Sequence, residues 1–578
     1  MESAGYQVTG NRPPAGGGNI RIPLCLFILL LVVKFFFVYQ RYFPILFYDE
    51  AVYIYKARNF AAFFSYFTPS GVIDILDIYA PLYSFILSPV FVFFQSPEVT
   101  YKLVLFVNAV LTSAIVFPLF LLASAFYPRY KTWITLSAAT LASSFGYVFS
   151  AMSEALFVPL FCFAVYLYYR KLETDRTLFH LLFWLSWCLL LLTKNVCIVL
   201  IPAYLLITLL CFFRGGTGPN RWKSLLSDVV CLVIVSIPRL IWNGVLKAHG
   251  GTEQTAANYL NQGLLHIGDS FSRLAQYAGT WIGQLGYLVL STFTLGLFVL
   301  FYCSGRKGIK EGAPSPGRQM ALMIFVSGLF LIGASTAHMF MTGLPGIHAR
   351  YLMYGRYADM LAPLLLLFGL GQFTRLDMRA HFRTRRLRGI LIVSIFLLTL
   401  LITVYHIPPF IEGVRVLNMG VGWVDHLMRS LPLYHVIIFI LSLVLLSGAF
   451  VSRKYRIVPV FTLVLLLNAV NIARVHHQVL LHEAKGREFV RQAQKIRSDP
   501  SAKLWVHKKN LDGKFFCRVS YYFHSDTFYL QNFRPVDVAR DYVVWGKDIL
   551  KMSDCASALK EDLAKEKKKW GHPLKTNR

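Results

Sequence analysis

Long apolar runs separated by short, basic, polar connections dominate the chain. A helix needs about 20 apolar residues to cross a bilayer. Runs of that kind predict spans at 21–39, 101–126, 133–150, 155–170, 178–195, 197–213, 224–242, 281–302, 319–340, 357–374, 388–406, 433–451 and 457–473. Residues 81–95 (PLYSFILSPVFVFFQ) are also apolar, but they are short and broken by Pro81 and Pro89. They are read as an interfacial or re-entrant piece. Thirteen spans then put the N-terminus inside and the C-terminus outside. Residues 1–20, with Pro13, Pro14 and a glycine run, read as a flexible cytoplasmic lead, and the run from Ile22 as a retained anchor without a small-residue cleavage site. From 474 to 578 the chain turns polar, with alternating stretches such as YYFHSDTFYL, and predicts a small extracytoplasmic α+β domain. The expected fold is an all-α polytopic membrane protein, with a transmembrane domain at 21–473, a first extracytoplasmic loop at 40–100 and that soluble tail. No internal repeat is evident, which weakens an inverted-repeat transporter reading.

Composition narrows this further. Hydrophobic residues make up 56% of the 578 and charged residues 15%, where a soluble chain carries about 25% charged. A soluble enzyme, a disordered chain and a collagen-like rod are excluded. The net charge of +29 sits in short loops between apolar runs, as the positive-inside rule produces, and does not argue for nucleic acid. Arg375, Arg379, Arg383, Arg385, Arg386 and Arg388 give the strongest cytoplasmic signal. The nine cysteines show no metal-ligand spacing. Cys517 and Cys555 lie in the tail, where an oxidising compartment would let them pair.

The outside face holds the residues with chemical potential. FYDEAVYIYKARNF, 47–60, follows the first span with adjacent Asp49 and Glu50, then Tyr53, Lys56 and Arg58. SAMSEALFVPLF, 150–161, brings Glu154 into a span from the same face. An acid at a helix start also serves as a cap, but two such sites on one face stand out in a chain with 29 acids. Lys194 lies at the outer end of another span, where lysine is also a snorkelling anchor. HARYLMYGRYADMLAP, 348–363, stacks Arg350, Arg356, Tyr351, Tyr354 and Tyr357 in an outside loop. Arginines there run against the positive-inside bias and suit an anion. IYAPLYSF, 78–85, sets Tyr79 and Tyr83 around Pro81.

These groups suit glycosyl transfer at a membrane surface. A hydroxyl acceptor is a poor nucleophile, and a carboxylate within reach can take its proton as attack begins. Departure of a phosphate builds negative charge that arginine, lysine or a divalent metal can stabilise.

Asp49-Glu50 after the first span, followed by Tyr53 and Ala57-Arg58, resembles the first-loop signature of GT-C fold glycosyltransferases, in the aminoarabinose transferase and protein O-mannosyltransferase branch. Pro-Leu-Tyr at 81–83 is similar to the next motif, and Glu154, Arg356, Tyr357 and Pro363 match in order. The resemblance implies a sugar taken from a polyprenyl-phosphate carrier with inversion, Asp49 as base, Glu50 orienting it or meeting acceptor or metal, and Glu154 as the second acid. Tyr53, Lys56, Arg58, Tyr83, Lys194, Arg350, Arg356 and Tyr357 are the candidate substrate contacts. The acceptor class stays open among a lipid, an envelope glycan and a protein hydroxyl. The branch carries a Lys just before its Pro-Pro-Leu-Tyr; here Tyr79 and Ala80 precede Pro81, so the carrier phosphate must be met by Lys56, Arg58, Lys194 or Arg356. No cofactor is certain; a divalent cation shared by Asp49, Glu50 and Glu154 is an open alternative, and His338, His348 and His406 show no ligand pattern. The expected setting is the plasma (inner) membrane of a bacterium or archaeon, with an endoplasmic reticulum membrane as the alternative, and the active site on the extracytoplasmic face. The competing class is a transporter or flippase of a lipid-linked or anionic substrate. Against it, the spans read as nearly free of buried charge.

Overall fold

A computed structural model describes residues 20–41, 48–63, 79–94, 96–174, 176–214, 220–248, 271–299, 316–341, 355–375 and 453–497, with four strands between 504 and 551. The expected spans at 388–406 and 433–451, Arg350, His348, His406, Cys517 and Cys555 lie outside the described residues, as does the side chain of His338.

Helix α1 (Arg21–Tyr39) has the limits of the first apolar run. Seven helices among the described residues are long and apolar enough to cross a membrane, so the chain is a multi-pass integral membrane protein. The short apolar piece at 81–95 forms α3 (Leu82–Phe93). At 1.5 Å per residue it is about 18 Å long, well short of a hydrocarbon core of about 30 Å. It packs against α2 (Tyr48–Phe63) instead.

The expected spans at 281–302 and 357–374 are not single helices: the first run leaves its helix after Ser291, where Phe293 and Thr294 have positive φ, and the second divides at residues 359–361. Prolines and polar residues reshape two more. The run at 101–126 divides into α4 (Pro97–Ser113) and α5 (Val116–Phe126). Pro118 has no N–H for the Ala114 carbonyl, and its ring crowds that carbonyl. The run at 133–150 is not one helix. It forms α6 (Lys131–Ala139), a single turn α7 (Ala142–Phe145) and a 3-10 turn at Gly146–Phe149, with every residue from Leu141 to Ala155 buried. Irregular backbone at membrane depth survives only when protein surrounds it and side chains satisfy it. Ser144 Oγ donates to the Leu141 carbonyl at 3.0 Å, and Asn468 Nδ2 to the Ser137 carbonyl at 2.9 Å. The irregular stretch delivers Ser150 to Ser153 to the start of α8 (Glu154–Glu173).

Next come α9 (Thr177–Thr193), α10 (Leu200–Arg214), α11 (Asn220–Ala248), α12 (Phe271–Ser291), α13 (Pro316–Met341), the single turn α14 (Gly355–Ala358) and α15 (Ala362–Arg375). A 3-10 turn at Leu295–Phe298 lies so close to α15 that a Cβ on Gly369 would sit 2.0 Å from the Leu295 carbonyl oxygen. That contact requires glycine. The last described helix, α16 (Arg453–Arg497), continues through position 474, where the polar tail was expected to begin. Beyond it, β1 (Leu504–Val506), β2 (Thr527–Tyr529), β3 (Tyr542–Trp545) and β4 (Asp548–Lys551) form a sheet in the order β2-β1-β3-β4. β1 runs parallel to β2 and β3, and β3 antiparallel to β4. The remainder of the expected α+β domain lies outside the described residues.

The expectation of spans nearly free of buried charge does not hold. Lys34 in α1 is fully buried and donates to Thr112 Oγ1 at 2.9 Å. Lys171 at the end of α8 is paired with Asp228 of α11, and Tyr204 of α10 donates to the same carboxylate at 2.8 Å. Phe183, Trp184 and Tyr204 surround the ammonium at 5.0–5.6 Å from ring centroid to Nζ. Apolar runs tolerate these charges because each has a partner across a helix interface. Lys171→Met should therefore destabilise the protein by about 3–5 kcal/mol, because it strands Asp228. Lys171→Met with Asp228→Leu should recover most of that loss in a denaturation series in detergent. A double variant as unstable as the single one would contradict the pairing account.

Candidate functional site

Two acids arrive on neighbouring residues of α2 and turn to different partners. Asp49 Oδ1 accepts from the Tyr79 hydroxyl at 2.7 Å, and Oδ2 from Arg356 Nη1 at 2.5 Å. Glu50 Oε1 accepts from the Tyr101 hydroxyl at 2.6 Å and from the Ala151 N–H at 2.8 Å. Both side chains thus reach other segments, which the capping reading of a first-turn acid does not require. Glu50 is wholly buried, whereas the Asp49 side chain keeps 23% exposure.

Glu154 opens α8 and is also wholly buried. One of its oxygens, Oε1, accepts from Lys194 Nζ at 2.5 Å and from Arg356 Nε. The Arg356 guanidinium therefore lies between Asp49 and Glu154 and bonds both. A planar fork does this with donors on separate nitrogens in a fixed geometry, where an ammonium would have to meet both acids from one atom. Asp49, Glu154, Lys194 and Arg356 make two negative and two positive charges, so the cluster is neutral as a unit. Lys194 Nζ also stands 4.8 Å from the Tyr357 ring centroid, a cation–π distance.

Aromatic side chains hold the acids from below. Tyr53 donates to Ser153 Oγ at 2.8 Å, and its ring meets Tyr79 and Tyr83 edge-on at 5.3 and 5.2 Å. Tyr83 donates to Asn108 Oδ1 at 2.7 Å, and Asn108 Nδ2 to the Ser150 carbonyl at 2.7 Å. Asn108 thereby ties α3 to the irregular segment before Glu154. Burial first, then the negative carboxylates, keeps the Tyr53 and Tyr79 phenols protonated well above the ordinary tyrosine range. Both are donors at neutral pH.

Arg356 has its own support. Asp359 is fully buried and accepts from the Tyr147 hydroxyl at 3.1 Å and from the Tyr287 hydroxyl. The Tyr147 hydroxyl also lies 3.4 Å from the Arg356 carbonyl oxygen. The turn that presents Arg356 is thus held through Asp359 to the 3-10 turn at Gly146–Phe149 and to α12.

The structure brings together Asp49, Glu154, Lys194, Arg356, Tyr53, Tyr83 and Tyr357. Glu50 faces away from that cluster, toward Tyr101 and the Ala151 amide. Arg58 sits 5.3 Å from the Phe91 ring centroid. Lys56 lies in the core rather than on the outer surface, and burial pushes its pKa down to about 7. Tyr79, singled out beside Pro81 but not assigned a substrate contact, joins the network, as do Tyr101, Ser153, Tyr147, Tyr287, Asn108 and Asp359, which had not been singled out. Of these last, only Asp359 had a signal in the sequence, as an acid inside an apolar stretch.

Arg356 occupies the space between Asp49 and Glu154, Glu50 is engaged elsewhere, and no group of three or more His, Cys, Asp or Glu among the described residues is arranged to hold a metal. Arg356→Lys tests the fork directly. It should cost about 1.5–3 kcal/mol, the loss of one charge-assisted hydrogen bond, seen as a lower denaturation midpoint. An unchanged midpoint would contradict the bridge.

No protein-family model matches the chain and no curated protein matches it. Among solved structures, the chain is similar to ArnT from Cupriavidus metallidurans bound to undecaprenyl phosphate, with a TM-score of 0.51 and 13% identity over 88% of this chain and 85% of that one. The apo form of the same enzyme aligns at a TM-score of 0.48 and 12% identity. At this identity the likeness is one of fold, and the chain shares over most of its length the GT-C fold of ArnT, as its first-loop motif implied.

Proposed function

We propose that this protein is a membrane glycosyltransferase that moves a sugar from a polyprenyl-phosphate carrier to a hydroxyl acceptor by a single inverting displacement. The observation that carries the reading is the Arg356 fork joining Asp49 to Glu154 beside Lys194. It sets a partly exposed carboxylate next to two cations, the pairing that proton removal and phosphate departure need. The ArnT structure with the same fold is bound to undecaprenyl phosphate, which supports a polyprenyl-phosphate donor here.

In this reading the acceptor oxygen attacks the anomeric carbon as its proton passes to Asp49. The bond from that carbon to the carrier phosphate breaks, and the electron pair leaves with the phosphate. Arg356 and Lys194 offset the charge that builds there, with Glu154 holding both cations in place. Tyr357 supplies a ring surface next to the reacting groups, while Tyr53 and Tyr83, both buried, back the acids rather than meet substrate. Glu50 acts by anchoring α2, through Tyr101 and Ala151, so that Asp49 is presented to the cluster. The site opens on the extracytoplasmic face, opposite the basic loops, and the acceptor is a lipid, an envelope glycan or a protein hydroxyl.

The test uses purified protein in lipid, a panel of polyprenyl-phosphate sugars and an acceptor of each class (lipid, glycan and hydroxyl peptide), with and without EDTA, and follows release of bare polyprenyl phosphate. Wild type should release it with one donor. Asp49→Asn should not, because an amide cannot act as the base. Arg356→Ala should raise the donor KM. Turnover by Asp49→Asn would sink the mechanism. Loss of release in EDTA would bring a metal into the reaction, and transport of an intact donor without release would support the transporter class.

A further inference from the structure

Asp49 is held at both oxygens, and one of its two holders is neutral. Arg356 Nη1 meets Oδ2, and the Tyr79 hydroxyl meets Oδ1 at 2.7 Å. Donors from two separate segments fix the plane of a carboxylate, a rotation that one donor alone leaves open. Tyr79 is in turn locked. It lies on the approach to α3, beside buried Ala80 and ahead of Pro81, and its ring is packed edge-on against Tyr53 at 5.3 Å. Tyr53 is fixed at its hydroxyl by Ser153, and its carbonyl accepts from Ser84 Oγ at 3.2 Å. The phenol that touches Asp49 is thus set by packing and by a second layer of hydrogen bonds, the arrangement that keeps a reacting group within tenths of an ångström.

We propose that Tyr79 is a positioning residue for the transfer reaction: its hydroxyl holds the Asp49 carboxylate in the orientation from which it takes the acceptor proton. The inference rests on the reading of Asp49 as the base. In the step itself, the acceptor proton goes to Asp49, the acceptor oxygen bonds to the anomeric carbon, and the carrier phosphate leaves with the electron pair. Tyr79 gives up no proton and stays a donor to Oδ1 throughout. Its high proton affinity, from burial and the adjacent carboxylate, suits that part. Without the hydroxyl, Asp49 is held at Oδ2 alone and its carboxylate turns more freely. Misplacement on that scale slows chemistry, while the cations that meet the donor phosphate stay where they are.

The experiment uses the full chain in lipid nanodiscs, with the undecaprenyl-phosphate sugar that wild type turns over in the panel. kcat, donor KM and melting temperature are measured for wild type, Tyr79→Phe and Asp49→Asn. Tyr79→Phe should lower kcat by ~10- to 100-fold, with donor KM within about twofold and a melting temperature lowered by no more than the loss of that one hydrogen bond. A role in packing alone would lower the melting temperature and leave kcat of the folded fraction unchanged, and would overturn the proposal. A raised KM with kcat intact would make Tyr79 a donor contact and would also overturn it. Wild-type kcat in Tyr79→Phe beside an inactive Asp49→Asn would remove the Tyr79 role and leave the base standing. Turnover by Asp49→Asn, or no turnover of any donor by wild type, would remove the base reading and this inference with it.

Discussion

The Arg356 guanidinium is the joint on which the site depends. Asp49 and Arg356 are separated by 307 positions in the chain, and Glu154 and Arg356 by 202, yet one planar group bonds both acids. In a chain whose spans are surrounded by hydrocarbon, an unpaired carboxylate at Glu154 would be strongly unfavourable. Arg356 and Lys194 make its burial tolerable, and in doing so they bring the ends of α8, α9 and α14 into register with the first-loop helix. Glu154 is set deep and fully paired, while Asp49 keeps contact with the exterior. That division separates a group that holds from a group that can react.

The same rule shapes the region beneath the acids. Backbone that leaves the helix at 140–153 has to be satisfied by side chains, because no water is there to do it. Asn108 and Ser144 serve that purpose, at the Ser150 and Leu141 carbonyls. The irregular segment in return supplies the Ala151 amide to Glu50 and the Ser153 hydroxyl to Tyr53. Loss of helix in the middle of an apolar run is therefore tied to the placement of both first-loop acids. Asp359 works the same way, buried between two phenols and steadying the turn that carries Arg356.

Much of the fold is legible in the sequence because hydropathy is a property of single residues summed over a window. α1 and the shortness of α3 follow from run length and from Pro81 and Pro89. The break at Ala114 and the broken segment at 142–149 are not legible in that way, since apolar composition continues through both. Asp49, Glu154, Lys194 and Arg356 stand out because acids are scarce and outside arginines run against the charge bias. Their mutual contacts do not, because sequence separation carries no information about distance across a bundle. Lys56 shows the limit in reverse: a basic residue in a promising motif is buried in the core. Tyr101 is invisible among 31 tyrosines, and Tyr79 stands out only by its place beside Pro81, until their hydroxyls are seen to meet Glu50 and Asp49.

The central claim is that the Asp49–Arg356–Glu154 cluster, with Lys194, is where a lipid-linked phosphate meets its acceptor. It is tested most directly by a cryo-electron microscopy structure of the protein in lipid nanodiscs with undecaprenyl phosphate added. The account predicts phosphate density within about 4 Å of Arg356 or Lys194, on the side of the cluster where Asp49 is exposed. Carrier density bound elsewhere, with this cluster closed to it, would contradict the account.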